Sequence, residues 1–471
     1  MPAHELHVGR SSVRQGSAAL LLMVTVAACA TEPVGTMPET AVSASVAQVA
    51  ARVDAAPEFV PGEMLVRFRD GATVMSRGAA MRAARATTHE KIVTPAMLRR
   101  GDREGVHLMR TSMDVRGAIA ALRGNADVEY AEPNWIYHHE VVSNDPYIGS
   151  LWGMNAGVGT AGTAAVTAWG KGLQDCSSVY VGIIDEGYMT SHEDIAANVG
   201  TNPREVAGNG RDDDLNGYVD DVFGWDFDGN NNSVFDGVSD DHGTHVAGTI
   251  GGVGGNGKGV AGMCWGVKLM SAKFLGTRGG TTANAIKAVD YFTALRTAGV
   301  PIVATNNSWG GGGFSQALGD AIERANAAGV LFIAAAGNSS ANCETTACYP
   351  ASYENANVIS VASITSTGEL SSFSNYGATT IDIGAPGSGI ISSVPVASGK
   401  GRTASTTSGY ANYSGTSMAT PHVTGAAALY AASRPLSTAA VIKAAILSNG
   451  TDTPSLAGRT VTGKRLNVST F

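Results

Sequence analysis

The chain has 471 residues, 60 of them glycine, with a formal net charge of −8 and only 15% charged residues. Ordinary soluble domains carry about 7% glycine and about a quarter charged residues, so this composition suits a compact enzyme rich in tight turns and argues against a disordered chain. The acidic balance argues against a nucleic-acid partner, and beyond the N-terminus no apolar run approaches the ~20 residues of a membrane span.

The first residues read as an export signal. Arg10 and Arg14 precede an apolar run from Ala18 to Ala28 that is too short to cross a bilayer. The run ends Val26-Ala27-Ala28-Cys29, which resembles the lipobox of bacterial lipoproteins. That resemblance implies a signal peptide over 1–28, cleaved before Cys29, with lipid on the Cys29 sulfur. Residue Ala30 is not the aspartate that usually retains such proteins in an inner membrane. Residues 29–60, rich in Ala, Val, Thr, Pro and Glu, are expected to form a flexible tether. A small separate unit is expected over 61–140: Glu63 to Phe68 alternates like a strand, Val115 to Arg123 reads as a helix, and Asp127 to Asn134 as an extended closing segment.

From 141 to 471 strand and helix patterns alternate. Strands are expected at Val179–Ile184, Val267–Leu275, Val300–Thr305, Val330–Ala336 and Val358–Ile364, and helices at Thr282–Ala298, Gln316–Ala328, Thr416–Ala432 and Thr438–Leu447. This predicts an α/β domain with a parallel sheet, helices on both faces, and ligands gathered at the strand C-termini. Asp185 and Asn338 each end such a strand, and His242 begins a small-residue helix. Ser417 follows a small-residue loop at the start of an alanine-rich apolar helix. There the unpaired N–H groups and the dipole favour developing negative charge. Pro421 is expected in that helix's first turn, where a missing N–H loses little.

The chain order Asp185, His242, Asn338, Ser417 contains Asp…His…Ser, the order in subtilisin. Around these residues stand Val179-Tyr180-Val181-Gly182-Ile183-Ile184-Asp185, Asp241-His242-Gly243-Thr244-His245, Ala335-Ala336-Gly337-Asn338 and Gly415-Thr416-Ser417-Met418-Ala419-Thr420-Pro421-His422. With these flanks, the region from about Asn144 onward resembles the subtilase family of serine proteases. The resemblance implies a subtilisin-like peptidase domain over 141–471, hydrolysing protein or peptide substrates without a catalytic cofactor. Ser417 would be the nucleophile, His242 the general base and acid, and Asp185 its orienting carboxylate. Asn338 and the Ser417 N–H would form the oxyanion hole. Glu186 departs from the threonine or serine common in the family and would change the local electrostatics. His245 and His422 match family positions of structural type, and a sedolisin-type site would need glutamate in place of His242. The alternative is a catalytically inactive binding module of the same fold.

Asn144-Asp145-Pro146-Tyr147 resembles the start of a mature subtilase. The 61–140 unit resembles the family's inhibitory pro-domain, a small α+β, ferredoxin-like fold, implying self-processing between about 137 and 144. Ser308, Trp309 and Gly310 resemble one wall of the substrate cleft, and Ala335, Ala336 and Gly337 the other; Trp309 reads equally well as a core aromatic. The resemblance implies a monomer, inhibited by its own pro-domain and touching a membrane only through the N-terminal lipid. It would be exported from a bacterial cell, anchored at the envelope before processing, and extracellular or periplasmic when mature.

Ten aspartates and no lysine or arginine lie between Asp212 and Asp241. Within this stretch Asp212, Asp214, Asn216 and Asp220 take the first, third, fifth and ninth places of an EF-hand-like calcium loop. Gly217 stands at the turn and the Tyr218 carbonyl at the seventh place, but Phe223 replaces the closing glutamate. A second calcium site, at Asp145, Asp194 and Asn256, is implied by the family resemblance alone. Of five cysteines, four remain after Cys29. Cys343 and Cys348 bracket a short loop, while Cys176 and Cys264 precede strands that are neighbours in the subtilase sheet. Disulfides Cys176–Cys264 and Cys343–Cys348 are therefore expected, and the paired spacing of a zinc site is missing.

Overall fold

The computed structural model describes residues 59–135, 143–155, 160–399 and 405–471. The expected signal peptide, Cys29, nearly all of the tether and most of the expected cut region lie outside them. The first unit runs β1 (Phe59–Phe68), α1 (Val74–Ala83), β2 (Ala86–Ile92), α2 (Pro95–Arg99), β3 (Val106–Thr111), α3 (Val115–Leu122) and β4 (Val128–Trp135). Its antiparallel sheet has the order β2-β3-β1-β4. Met64, Val66 and Phe68 of β1 alternate inward, against Val115, Ala118 and Leu122 of α3. β1 begins two residues inside the expected tether, because Phe59 already pairs with Trp135 across the sheet.

The second unit contains α4 (Ala165–Gly170), β5 (Tyr180–Asp185), β6 (Gly224–Asp226), α5 (Asp241–Gly251), β7 (Lys268–Lys273), α6 (Thr282–Thr297), β8 (Ile302–Asn307), α7 (Gln316–Ala327) and β9 (Leu331–Ala335). It continues through β10 (Val358–Ile364), β11 (Ile383–Pro386), β12 (Ile390–Ser398), β13 (Ser405–Tyr413), α8 (Thr416–Ser433), α9 (Ala439–Asn449), β14 (Thr451–Asp452) and β15 (Lys464–Arg465). The main sheet has the order β14-β15-β11-β10-β9-β8-β5-β7-β6 and is parallel except for the β14–β15 pair. β12 and β13 form a separate antiparallel hairpin.

Both faces of this sheet are apolar, as burial on two sides demands. On one face Val181, Ile183, Leu331, Ile333, Ile359 and Val361 meet α5, α8 and α9; on the other Ile184, Phe332, Ala334, Val358 and Ala362 meet α6 and α7. The subtilisin-like α/β architecture is therefore present, with the helices divided between the faces.

Helix starts separate into two kinds. Helices α6, α7 and α9 are capped by their own N-cap side chains, Thr281, Ser315 and Thr438, each accepting a backbone N–H. The short α4 has no such cap from Ala164, and neither have α5 and α8 from Asp240 and Gly415. The last two carry His242 and Ser417.

Candidate active site

Parallel register brings the carboxylate into place. Asp185 ends β5 opposite Lys273 of β7, with no exposed surface. Its Oδ1 accepts the Glu186 backbone N–H at 2.8 Å and lies 2.9 Å from His242 Nδ1. Its Oδ2 is buried without a hydrogen-bond partner among the described residues.

Helix α5 is anchored by the residue that follows β5: the His242 backbone N–H donates to Glu186 Oε1 at 2.6 Å. A Cβ on Gly243 would lie 2.0 Å from the Gly187 carbonyl oxygen, so only glycine lets the helix start come this close to the β5 end. Buried Lys273 gathers the surrounding charge, pairing with Asp240 at 2.9 Å and Asp236 at 3.3 Å and donating to the Glu186 carbonyl. Burial, aided by neighbouring Asp185, pushes the Glu186 carboxyl up to about 7.

The serine is set from the other side. Asn338 follows β9, and its Oδ1 accepts both the Thr416 N–H, at 2.8 Å, and the Thr416 hydroxyl, at 2.9 Å. This caps α8 and turns the Asn338 amide nitrogen away from the capped N–H. The point where a Cβ of Gly415 would stand is 3.5 Å from Asn338 Nδ2 and 3.6 Å from the Ser417 backbone nitrogen. Two donors thus flank one small cradle, left open because residue 415 is glycine.

Pro421 lies in the second turn of α8, not the first. A proline there removes the hydrogen bond to the carbonyl four residues back, which is that of Ser417. The freed oxygen is taken by the Ser308 hydroxyl at 2.8 Å, while Ser417 Oγ donates to the Ser308 carbonyl at 3.1 Å. This reciprocal pair ties the end of β8 to the serine.

Ser308, Trp309 and Gly310 follow β8, beside Ala335, Ala336 and Gly337 at the end of β9. Trp309 meets Phe274 edge-on at 4.9 Å and Phe332 at 6.3 Å, so its ring belongs to the core beneath the cleft. Cys343 joins Cys348, and Cys176 joins Cys264. His245 is buried, with Nε2 2.9 Å from the Ile390 carbonyl and its ring stacked on Tyr413. His422 Nδ1 lies 2.9 Å from the Met418 carbonyl. Burial pushes these histidines down to about 3 and about 4, so both are neutral supports.

The acidic loop folds differently from an EF-hand template. Asp212 and Asp214 converge with Glu205, their carboxylate oxygens within 4.8 Å of one another. Glu205 Oε1 accepts the Asp213 and Asp214 N–H groups, and among the described residues its Oε2 is buried without a hydrogen-bond partner. Asp220 is directed elsewhere, accepting the Asn209 and Gly210 N–H groups. Asn216 Nδ2 donates to Asp221, and the Tyr218 ring packs on Trp225, Phe227 and Tyr291. Glu205 precedes Asp212 by seven residues, outside a twelve-residue template, so the loop pattern could not reveal it.

The second set does assemble: Asn256 donates its side-chain N–H to Asp194 at 2.8 Å and its backbone N–H to Asp145 at 3.1 Å. Both carboxylates are buried, no ion pair holds either among the described residues, and burial pushes Asp194 up to about 7.

Residues 177–463 match the sequence pattern of the subtilase family. The chain belongs to this family. Residues 45–134 match the fervidolysin N-terminal prodomain, which covers the first folded unit. An extracellular protease of Xanthomonas campestris is 32% identical over 78% of this chain, which spans 64% of that protein's length. An extracellular serine proteinase of a Thermus species is 31% identical over 83% of this chain and 85% of its own length. Among solved structures, a protease of Pseudoalteromonas arctica covers 70% of this subtilase at 29% identity, with a TM-score of 0.53.

Proposed function

We propose that this subtilase is an exported serine endopeptidase, made as a zymogen that removes its own N-terminal domain. The observation that carries the reading is the cradle at Gly415, flanked by Asn338 Nδ2 and the Ser417 N–H, beside a histidine held by a buried carboxylate. Activation turns the Ser417 hydroxyl from the Ser308 carbonyl toward His242. The imidazole takes its proton as Oγ attacks the peptide carbonyl, and later gives it to the leaving amine. Asp185 stabilises the imidazolium, and the two donors stabilise the oxyanion. A substrate strand runs between the Ser308–Gly310 and Ala335–Gly337 segments.

Calcium fits the carboxylates described above: Glu205, Asp212 and Asp214 offer hard oxygens in one cluster, and Asp145, Asp194 and Asn256 offer a buried set without a basic partner. The ion would supply structural positive charge only. The mature enzyme acts as a monomer outside the cytoplasm, its precursor held at the envelope by lipid on Cys29.

The test is hydrolysis of casein and of a peptide anilide by the full chain. Ser417→Ala and His242→Ala should each lose at least about 10³-fold in kcat and remain unprocessed, with the double variant scarcely worse, because such residues act as a unit. Normal turnover in either single variant would overturn the assignment.

A further inference from the structure

We propose that Glu186 is a positioning residue for His242, anchoring the first turn of α5 and supplying a second negative charge beside the imidazole. This rests on the protease reading above. The structural helices α6, α7 and α9 cap themselves, whereas the two helices bearing the reactive side chains are capped from other segments of the chain. Asn338 does this for α8 and Glu186 for α5. Asn338 pairs its capping role with a donor for the oxyanion. Glu186 pairs its own with charge.

The geometry explains why a glutamate suits the position. Asp185 reaches the imidazole directly, and Glu186, next in sequence, reaches the backbone of the same residue. His242 is thereby held at both its side chain and its main chain by consecutive residues of one strand end. The charged groups around Glu186 are Asp185 on its own segment, Asp241 and His242 on α5, and Lys273 on β7. Lys273 is engaged by Asp240 and Asp236 and touches only the Glu186 carbonyl, so it does not neutralise the carboxylate. Asp241 is held by the Tyr413 hydroxyl. The one group here that changes from neutral to cationic during turnover is His242. An ionised Glu186 favours its cationic form, raising the pH at which the free base is generated and stabilising the imidazolium of the transition state. Because burial brings the Glu186 carboxyl up to about 7, its own ionisation falls within the working pH range and contributes to the acid limb of the activity profile.

The sign for stability is opposite. A carboxyl raised in the fold binds protons more tightly there than in the unfolded chain. Stability therefore falls as pH rises from an ordinary glutamate's 4.5 to about 7, and stays lower above that. Glu186 thus trades some alkaline stability for control of His242.

The experiment compares the parent, Glu186→Gln and Glu186→Ala as full chains allowed to mature, using the pH profile of kcat/KM on a peptide anilide and melting at pH 8. Glutamine keeps an acceptor for the His242 N–H and removes the charge. It should melt no lower than the parent, with its acid limb moved to lower pH by about half a unit or more and a severalfold lower plateau carried by kcat, not KM. Alanine should shift the limb in the same direction and also lose the cap. Should the glutamine variant fail to mature, the His242 imidazole is titrated by NMR in the unprocessed Ser417→Ala chain, with and without Glu186→Gln; the second substitution should lower its pKa. An unshifted limb, or an unshifted imidazole, overturns the proposal while leaving the protease reading intact. Activity that survives Ser417→Ala overturns the protease reading instead.

Discussion

Asn338 shows how one side chain is divided between structure and chemistry. Its oxygen caps α8 through Thr416, and its nitrogen borders the cradle at Gly415. The two functions can be separated by substitution. Asn338→Asp keeps the capping oxygen and replaces the donor, so it should melt near the parent but lose at least about 10²-fold in kcat, the scale found for an oxyanion-hole asparagine in subtilisin. Asn338→Ala loses both and should also cost about 1 kcal/mol of stability, the usual penalty of a removed N-cap. Thermal melts alongside kcat and KM decide it; an aspartate variant with parental turnover would remove Asn338 from the oxyanion site. At the same scale, Ser308 repairs the carbonyl that Pro421 leaves unpaired. A buried carbonyl without a partner costs ~1–3 kcal/mol, so the proline is tolerated because Ser308, 109 positions before Ser417, supplies the hydroxyl.

The strands explain the disulfides. β5 and β7 are parallel neighbours with Tyr180 opposite Lys268, and Cys176 and Cys264 each stand four residues before those partners. Equal offsets from a shared register put the two sulfurs at one end of the sheet, with Cα atoms 5.8 Å apart. The bond spans 88 positions, whereas Cys343–Cys348 spans 5. On the chain-entropy account a long loop gains more. Replacing Cys176 and Cys264 together by serine should cost about 2–4 kcal/mol of stability, and replacing Cys343 and Cys348 should cost less. The second pair borders the Asn375 amide, which donates to Cys348 Sγ and to the Ala336 carbonyl at the cleft wall. Its removal should therefore act on KM more than on melting. Denaturant titration and kinetics of both double variants test this, and a reversed order of the two stabilities would contradict it.

For the whole molecule the question is how an acidic chain tolerates its carboxylates. Glu205, Asp212 and Asp214 approach one another at the start of a stretch, Asp212 to Asp241, that holds ten aspartates and no lysine or arginine, and a divalent cation bound only by the folded state stabilises by mass action, ~2.7 kcal/mol at a hundredfold excess over Kd. Chelation should lower the melting temperature and speed autolysis while leaving the initial rate unchanged. Because two sites are proposed, the assignment needs Asp212→Ala with Asp214→Ala, which should remove one ion from the metal stoichiometry and part of the calcium-dependent shift. Glu205→Gln should weaken the same ion, and Asp220→Ala should not. Unchanged stoichiometry in the double variant would show the loop to be acidic without being a calcium site.

The sequence by itself determined the parts whose signals are local. Apolar runs such as Val358–Ile364 and small-residue helices such as Thr416–Ser433 announce themselves within one window, and Asp185, His242, Asn338 and Ser417 stand at their ends. The short β6 and β11 carry no such periodic signal and are formed by pairing with other strands of the main sheet, and the β12–β13 hairpin forms by pairing with itself. Only the tertiary structure decided that Trp309 is core, that Glu205 joins Asp212 and Asp214 while Asp220 turns away, and that Pro421 lies a turn deeper in its helix. It also decided which residues cap the two reactive helices. Those hydrogen bonds join positions 56 and 78 apart. A periodicity reports only which face of an element is buried. The partner waiting on that face is set by how the elements pack.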